Sequence, residues 1–252
     1  MYTLERQQQI LQYVRNNKVV KLVTLTKEFN VSMETIRRDI QLLVQEKKIE
    51  KFYGGVKYIE PVEGLIDNRL TQQLTEKIAI AKACASLVED GDCIFIDSGT
   101  TTYQMTPFLL GKEKLTVVTN SLPVAFDLIG SNIEVMIIGG KIRHSEKSVT
   151  SNDFLFRFEH LNINKAFICA SGVTLEKGIS DFSVEEAMTR KQLINISQTV
   201  YVATDSSKFN KDVAIQVCPL NQVDMIITDN TLSKETVVKY SEAGIELKVV
   251  AI

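Results

Sequence analysis

Histidine and cysteine are scarce in this chain: there are only His144 and His160, and the four cysteines, Cys84, Cys93, Cys169 and Cys218, lie far apart and never form C-x-x-C. That scarcity argues against a disulfide framework or a zinc site, so neither a metal nor a cofactor is expected. Cys93 and Cys169 sit inside apolar runs, where a thiol behaves as a small buried hydrophobe. No run approaches the ~20 consecutive apolar residues that a spanning helix needs, and the polar start from Met1 to Gln9 has no apolar core of a signal peptide. The expectation is a cytoplasmic protein with no membrane partner. A G-K-[ST] tripeptide is also missing, which removes the Walker A class of nucleotide loops.

The chain does have enough apolar residues to pack a core: of its 252 residues, 44% are hydrophobic and 24% charged, and that length suits two unequal domains. The net charge of −2 hides an asymmetry. Residues 1–60 carry 11 Lys/Arg against 7 Asp/Glu, whereas the remainder is acidic. A surplus of four is modest, and its value depends on where it falls.

It falls on a helical segment. Ile10, Leu11 and Val14 form an apolar stripe in a helix over 4–16, and a short second helix is expected from Thr24, as its cap, to Phe29. Asn30-Val31-Ser32 makes a tight turn, with Ser32 as N-cap of a third helix from Met33 to about Glu46. Met33, Ile36, Ile40 and Leu43 line one face of that helix, and Glu34, Arg38 and Gln41 the other. Two short helices joined by a three-residue turn make a helix-turn-helix, whose second helix enters the DNA major groove. Ser32, Met33 and Thr35 would approach the bases, and Arg37 and Arg38 would reach phosphates or guanine edges. From Lys48 to Tyr58 the pattern alternates around Gly54-Gly55, a wing with Lys51, Tyr53 and Lys57 exposed. The bland alternative is a helical pair with solvated arginines, or a winged helix used only for protein contacts.

The run F29-N-V-S-x-x-T-I-R-R-D-I40, with Leu43, Ile49 and Gly54-Gly55, closely resembles the signature of the DeoR family of bacterial sugar-metabolism regulators. Lys47, where the family usually has Gly, and Tyr53, where it usually has His, depart from it. The resemblance implies a transcription regulator binding double-stranded operator DNA.

Residues 60–75, beginning at Glu60-Pro61, have weak periodicity and read as a linker between a DNA-binding domain over 1–59 and a second domain over 76–252. In the second, a helix over Glu76–Val88 precedes short apolar runs at 93–96, 115–119, 135–138, 166–170, 200–203, 225–228 and 247–252. Helical stretches at 122–129, 184–196 and 234–243 separate several of them. This alternation argues for an α/β fold with a mainly parallel sheet covered on both faces. Ligands of such sheets bind at the carboxyl ends of the strands. There the chain places Asp97-Ser98-Gly99-Thr100-Thr101-Thr102, whose glycine, hydroxyls and N–H groups suit an anion. Four further tips, Thr119-Asn120-Ser121, Gly139-Gly140-Lys141, Ser171-Gly172 and Asp205-Ser206-Ser207-Lys208, are expected on the same edge.

These pieces, together with E-A at 186–187, are similar to the effector domain of the DeoR family, which resembles ribose-5-phosphate isomerase. The resemblance implies a phosphorylated sugar as effector, with residues 97–102 on the phosphate and Asn120, Asp205 and Lys208 around the sugar. It also implicates Gly139, Gly140, Gly172, Glu186 and Arg190, although Arg190 stands where the family usually has Lys, and Ser151 where it often has Gly. A rival reading is a sugar-phosphate isomerase with an N-terminal extension, using Asp97, Glu186 or Asp205 as base. No compelling catalytic pair is visible, and a free-standing isomerase has no use for a DNA-reading motif. The expectation is therefore a non-enzymatic repressor of a sugar-utilisation operon, a dimer or tetramer, released from its operator by the sugar phosphate.

Overall fold

Aliphatic side chains at 3–4 spacing close three short helices around one small core. In α1 (Thr3–Asn17) Ile10 and Val14 are fully buried, in α2 (Leu22–Glu28) Leu25 is, and in α3 (Met33–Gln45) Ile36, Ile40 and Leu43 are. Asn30, at φ +49°, turns the chain between α2 and α3, and the Ser32 hydroxyl accepts the amide of Thr35 at 3.2 Å as the N-cap. Strands β2 (Ile49–Phe52) and β3 (Gly55–Tyr58) form the wing around Gly54, which takes φ +76°. The computed structural model describes residues 3–46, 48–59, 63–150 and 161–252, so Glu60, Pro61, Lys47, Ser151 and His160 lie outside the described residues.

Two expectations need correction here. A third strand, β1 (Val19–Lys21), pairs antiparallel with β3 and gives the wing sheet the order β1-β3-β2. Thr24 is not a cap: β1 runs straight into α2, which starts at Leu22, and the Leu22 amide donates to the Gly54 carbonyl at 3.1 Å.

Asp39 lies among the buried aliphatics of α3, 1% exposed. Its carboxylate accepts from Arg6 Nε at 2.7 Å and Gln7 Nε2 at 3.1 Å, tying α1 to α3. The same bond raises the pKa of Arg6.

The second unit, Glu63–Ile252, is built on seven parallel strands in the order β15-β14-β12-β9-β4-β5-β6. They are β4 (Cys93–Ile96), β5 (Thr116–Thr119), β6 (Glu134–Ile137), β9 (Ile163–Cys169), β12 (Ser197–Ala203), β14 (Met225–Asp229) and β15 (Leu247–Val250). Side chains alternate across it. Ile94, Ile96 and Phe167 pack with α5 (Leu74–Ala85), α6 (Thr106–Leu109) and α7 (Leu122–Leu128), while Phe95, Ala166 and Ile168 pack with α8 (Val184–Ile196) and α9 (Lys234–Glu242). From β4 the chain steps outward to β5 and β6, then returns to β9 and steps the other way to β12, β14 and β15. That reversal puts the switch point between the tips of β4 and β9, where such sheets open a crevice. A hairpin, β7 (Lys141–Arg143) and β8 (Ser148–Thr150), and a small antiparallel sheet of β10 (Gly172–Thr174), β11 (Gly178–Asp181) and β13 (Ile215–Cys218) complete the unit.

The linker assignment for 60–75 is also corrected. From Glu63 onward the chain belongs to the second unit as a strap that includes α4 (Ile66–Leu70). Ile66 is buried and its amide donates to the Ser145 carbonyl at 3.0 Å, while Glu63, Asp67 and Arg69 pair with Arg143, Lys147 and Glu146 of the β7–β8 hairpin. Among the described residues no helix is long and apolar enough to cross a membrane.

Replacing Asp39 by Ala is expected to destabilise the N-terminal unit by about 2 kcal/mol, the usual scale for hydrogen bonds to a charged group. Arg6→Ala added to it should cost little more, because both changes remove one interaction. Chemical denaturation of the single and double variants measures this, and additive losses would contradict it.

Candidate functional site

The N-terminal unit presents its polar face as the sequence leads one to expect. Ser32, Arg37 and Arg38 are exposed on and beside the start of α3, Met33 and Thr35 are half-buried, and Lys51 and Tyr53 are exposed on the wing. The Ser32 and Thr35 hydroxyls are 2.9 Å apart and engage each other, so both first serve the helix start.

In the second unit a cavity of about 240 Å³ opens at the switch point. Seven expected residues line it: Ser98, Gly99, Thr100 and Thr101 after β4, Arg190 of α8, and Asp205 and Lys208 after β12. Four stand behind the wall. Asp97 is fully buried and accepts the Cys169 amide at 3.0 Å; Asn120 accepts the Ser98 amide at 2.7 Å; the Thr102 hydroxyl donates to the Asp97 carbonyl at 2.6 Å; Glu186 holds Arg190. Three others are not brought there. Gly139 and Gly140 are exposed beyond β6, leading into the β7–β8 hairpin, and Gly172 opens β10, where an added Cβ would lie 2.4 Å from the Lys211 carbonyl. Gly99 has a packing reason as well, since its missing Cβ makes room for Cys169 Sγ, 2.2 Å from where that atom would sit.

Arg190 organises this edge. Buried at 3% exposure, it donates to Asp97, to Asp181, to Glu186 at 3.1 Å and to the Ser98 carbonyl at 3.3 Å. Burial opposes its charge, but Asp181, Asp97 and Glu186 outweigh that and hold its pKa well above the ordinary value. Burial also works against Asp181, which Arg190 and the Ser183 amide nevertheless keep below the usual carboxylate range. Asp97 goes the other way, pushed by burial up to about 6 despite Arg190. Locked behind the wall in this way, Asp97 is not placed as a base facing the cavity.

Sequence reasoning missed the other wall. Glu63, Arg69, Gln72, Gln73 and Lys77 line the cavity from the strap and the start of α5, Glu146 from the β7–β8 turn, and Asp181 from β11. Lys77 had a signal: with Ile80, Ala81 and Cys84 it lies on the buried stripe of α5, an unusual place for a lysine. Its Nζ donates to the carbonyls of Arg69 and Gln72, each at 2.6 Å. Burial lowers its pKa, Asp205 resists, and the cations Lys208 and Arg69 lower it further, although the Arg69 guanidinium itself is engaged by Glu146. The opposite character gathers around Glu146. Burial pushes its carboxyl up to about 7 against the pull of Arg69, with Glu63 and Glu186 adding to the rise.

A carboxyl whose folded pKa lies near 7 rather than near its ordinary 4.5 binds its proton more tightly in the folded chain, so its contribution is full below about 4.5 and lost as pH climbs through about 7. Glu146→Gln cannot titrate. Its stability relative to the unaltered protein should therefore rise by roughly 2 kcal/mol between pH 5 and pH 8. Melting curves of both proteins across that range test this; a constant difference would refute it.

Comparison with known proteins agrees with both units. Residues 6–62 match the family model described as DeoR-like helix-turn-helix domain, and residues 72–230 the one described as DeoR C terminal sensor domain. The HTH-type transcriptional regulator IolR of Bacillus subtilis is 35% identical over 238 residues, covering 92% of this chain and 93% of that protein. The lactose phosphotransferase system repressor of Lactococcus lactis is 30% identical over 249 residues, covering 96% and 97%. Among solved structures, ribose 5-phosphate isomerase A from Methanocaldococcus jannaschii is similar over 53% of each chain, at 16% identity and a TM-score of 0.40, which carries no argument about chemistry. With a reader and a sensor matched in order along nearly all its length, the chain belongs to the DeoR family of helix-turn-helix transcriptional regulators.

Proposed function

We propose that this regulator is a repressor of a sugar-utilisation operon whose operator affinity is lowered when a phosphorylated sugar binds the cavity between the tips of β4 and β9. The observation that carries the reading is the uneven charge of that cavity, with the cations Lys77 and Lys208 on one side and the carboxylates Glu63 and Glu146, the latter paired with Arg69, on another. A sugar phosphate has the matching halves: a phosphate for cations and backbone amides, and hydroxyls for carboxylates. The 98–101 loop adds hydroxyl groups and amides to the phosphate end, as at other anion sites. Relatives whose names record a lactose phosphotransferase system repressor and a putative aga operon repressor, the latter from Escherichia coli O157:H7, support a sugar operon as target.

In this reading Arg37, Arg38 and Lys51 engage operator DNA, with Ser32, Met33 and Thr35 at the base edges. Helix-turn-helix proteins commonly bind repeated half-sites as symmetric oligomers, so the working form is at least a dimer, acting on chromosomal DNA in the cytoplasm. Linkage requires that ligand and operator oppose each other reciprocally, typically by 5–150-fold.

Mobility shifts on the DNA upstream of the protein's own operon, with and without sugar phosphates, test the proposal. Arg38→Ala should weaken specific operator binding about tenfold at fixed salt without changing the melting temperature. Thr100→Val combined with Lys208→Ala should leave operator binding intact and abolish the sugar-phosphate response. Undiminished calorimetric affinity of that double variant for the ligand would remove these residues from the site, and failure of the intact protein to retard any upstream fragment would sink the proposal.

A further inference from the structure

Four buried side-chain polar atoms lack a hydrogen-bond partner among the described residues, and two of them, Glu146 Oε1 and Thr204 Oγ1, belong to residues lining this cavity. Buried polar groups are normally paired, so their gathering at one cavity points to a ligand rather than to loose packing. Glu146 is the more demanding of the two. It is 2% exposed, and its other oxygen is anchored by Arg69 Nη2, which fixes the direction in which Oε1 is presented. Glu63 and Glu186 lie close enough to add negative potential to the same end.

We infer that Glu146 sets effector specificity: Oε1 accepts a hydrogen bond from a hydroxyl at the end of the ligand remote from its phosphate, and the surrounding negative potential excludes ligands with a second anion at that end. The inference rests on the sugar-phosphate reading of the cavity and narrows it to polyhydroxylated monophosphates, against bisphosphates and phosphorylated sugar acids. A neutral hydroxyl satisfies the orphan oxygen; a carboxylate or second phosphate would face it across a short distance with like charge. Arg69, already engaged by Glu146 and 4.0 Å from Glu63, is not free to neutralise such a group.

The test is calorimetric titration above about pH 8, where Glu146 carries its charge, of the full chain, unaltered and as Glu146→Gln, with inorganic phosphate, glucose 6-phosphate, fructose 6-phosphate, ribose 5-phosphate, 6-phosphogluconate and fructose 1,6-bisphosphate. At least one sugar monophosphate should bind the unaltered protein more tightly than inorganic phosphate does. Glu146→Gln should weaken that ligand roughly tenfold, the usual scale for losing a charged acceptor, and should tighten the doubly anionic ligands. These effects have opposite signs, so a folding defect cannot imitate them. Inorganic phosphate, confined to the cationic end, should bind both proteins alike. The inference is overturned if the two ligand classes shift together or not at all, or if no sugar monophosphate outbinds phosphate while phosphate itself still binds. Failure of the unaltered protein to bind any of the six would instead remove the sugar-phosphate reading and this inference with it.

Discussion

One buried guanidinium holds the sensing edge of the sheet in place. Arg190 projects from α8 and spreads its fork over Asp97 and the Ser98 carbonyl after β4, Asp181 at the end of β11, and Glu186 one turn earlier on its own helix. Asp97 passes the constraint on through the amide of Cys169 and the side chain of Asn120, so the tips of β4, β9 and β5 are joined by charge and hydrogen bonding. An ammonium group is a compact point charge and lacks the planar fork that meets several carboxylates in fixed directions. The arginine at this position thus has a structural role, and the 98–101 loop is held in shape by the protein's own contacts.

Within the arginine cluster of this edge, carboxylates outnumber guanidiniums. Asp97, Asp181, Glu186, Glu63 and Glu146 are served by Arg190, Arg143 and Arg69, so five carboxylates share three guanidiniums. Pairing alone does not decide the outcome: Asp181 stays acidic between Arg190 and the Ser183 amide, whereas burial pushes Asp97 up to about 6 and Glu146 up to about 7 although each is paired with an arginine. Such imbalance is costly for stability alone and is typical of sites that do work.

Much of the fold was legible because it depends on periodicity. The seven apolar runs became the seven strands of the parallel sheet, with shifts of a few residues at their ends, and α8 occupies the span expected for it. What escaped has no period. β1 is three residues squeezed between helices, and the strap is held by charge pairs 77–80 positions apart, with only five residues in its helix. A glycine pair after a strand looked like a ligand tip but leads into a hairpin. Half of the candidate site was visible as polar strand ends, since those follow from the parallel sheet. The other half, Lys77, Arg69 and Glu146, is brought in by the strap and the hairpin. Asp39 shows a related limit: in T-I-R-R-D-I the arginines face out and the aspartate faces in, and only the partner helix reveals why.

The strap also determines where this protein could be cut and rejoined. Because Glu63, Arg69 and Lys77 form one side of the chamber, the sensor starts almost where the wing's last strand stops, with only residues 59–62 between them. A hybrid that grafts a foreign reader at position 76 would inherit a chamber open on one flank, whereas a graft at 62 would keep it whole.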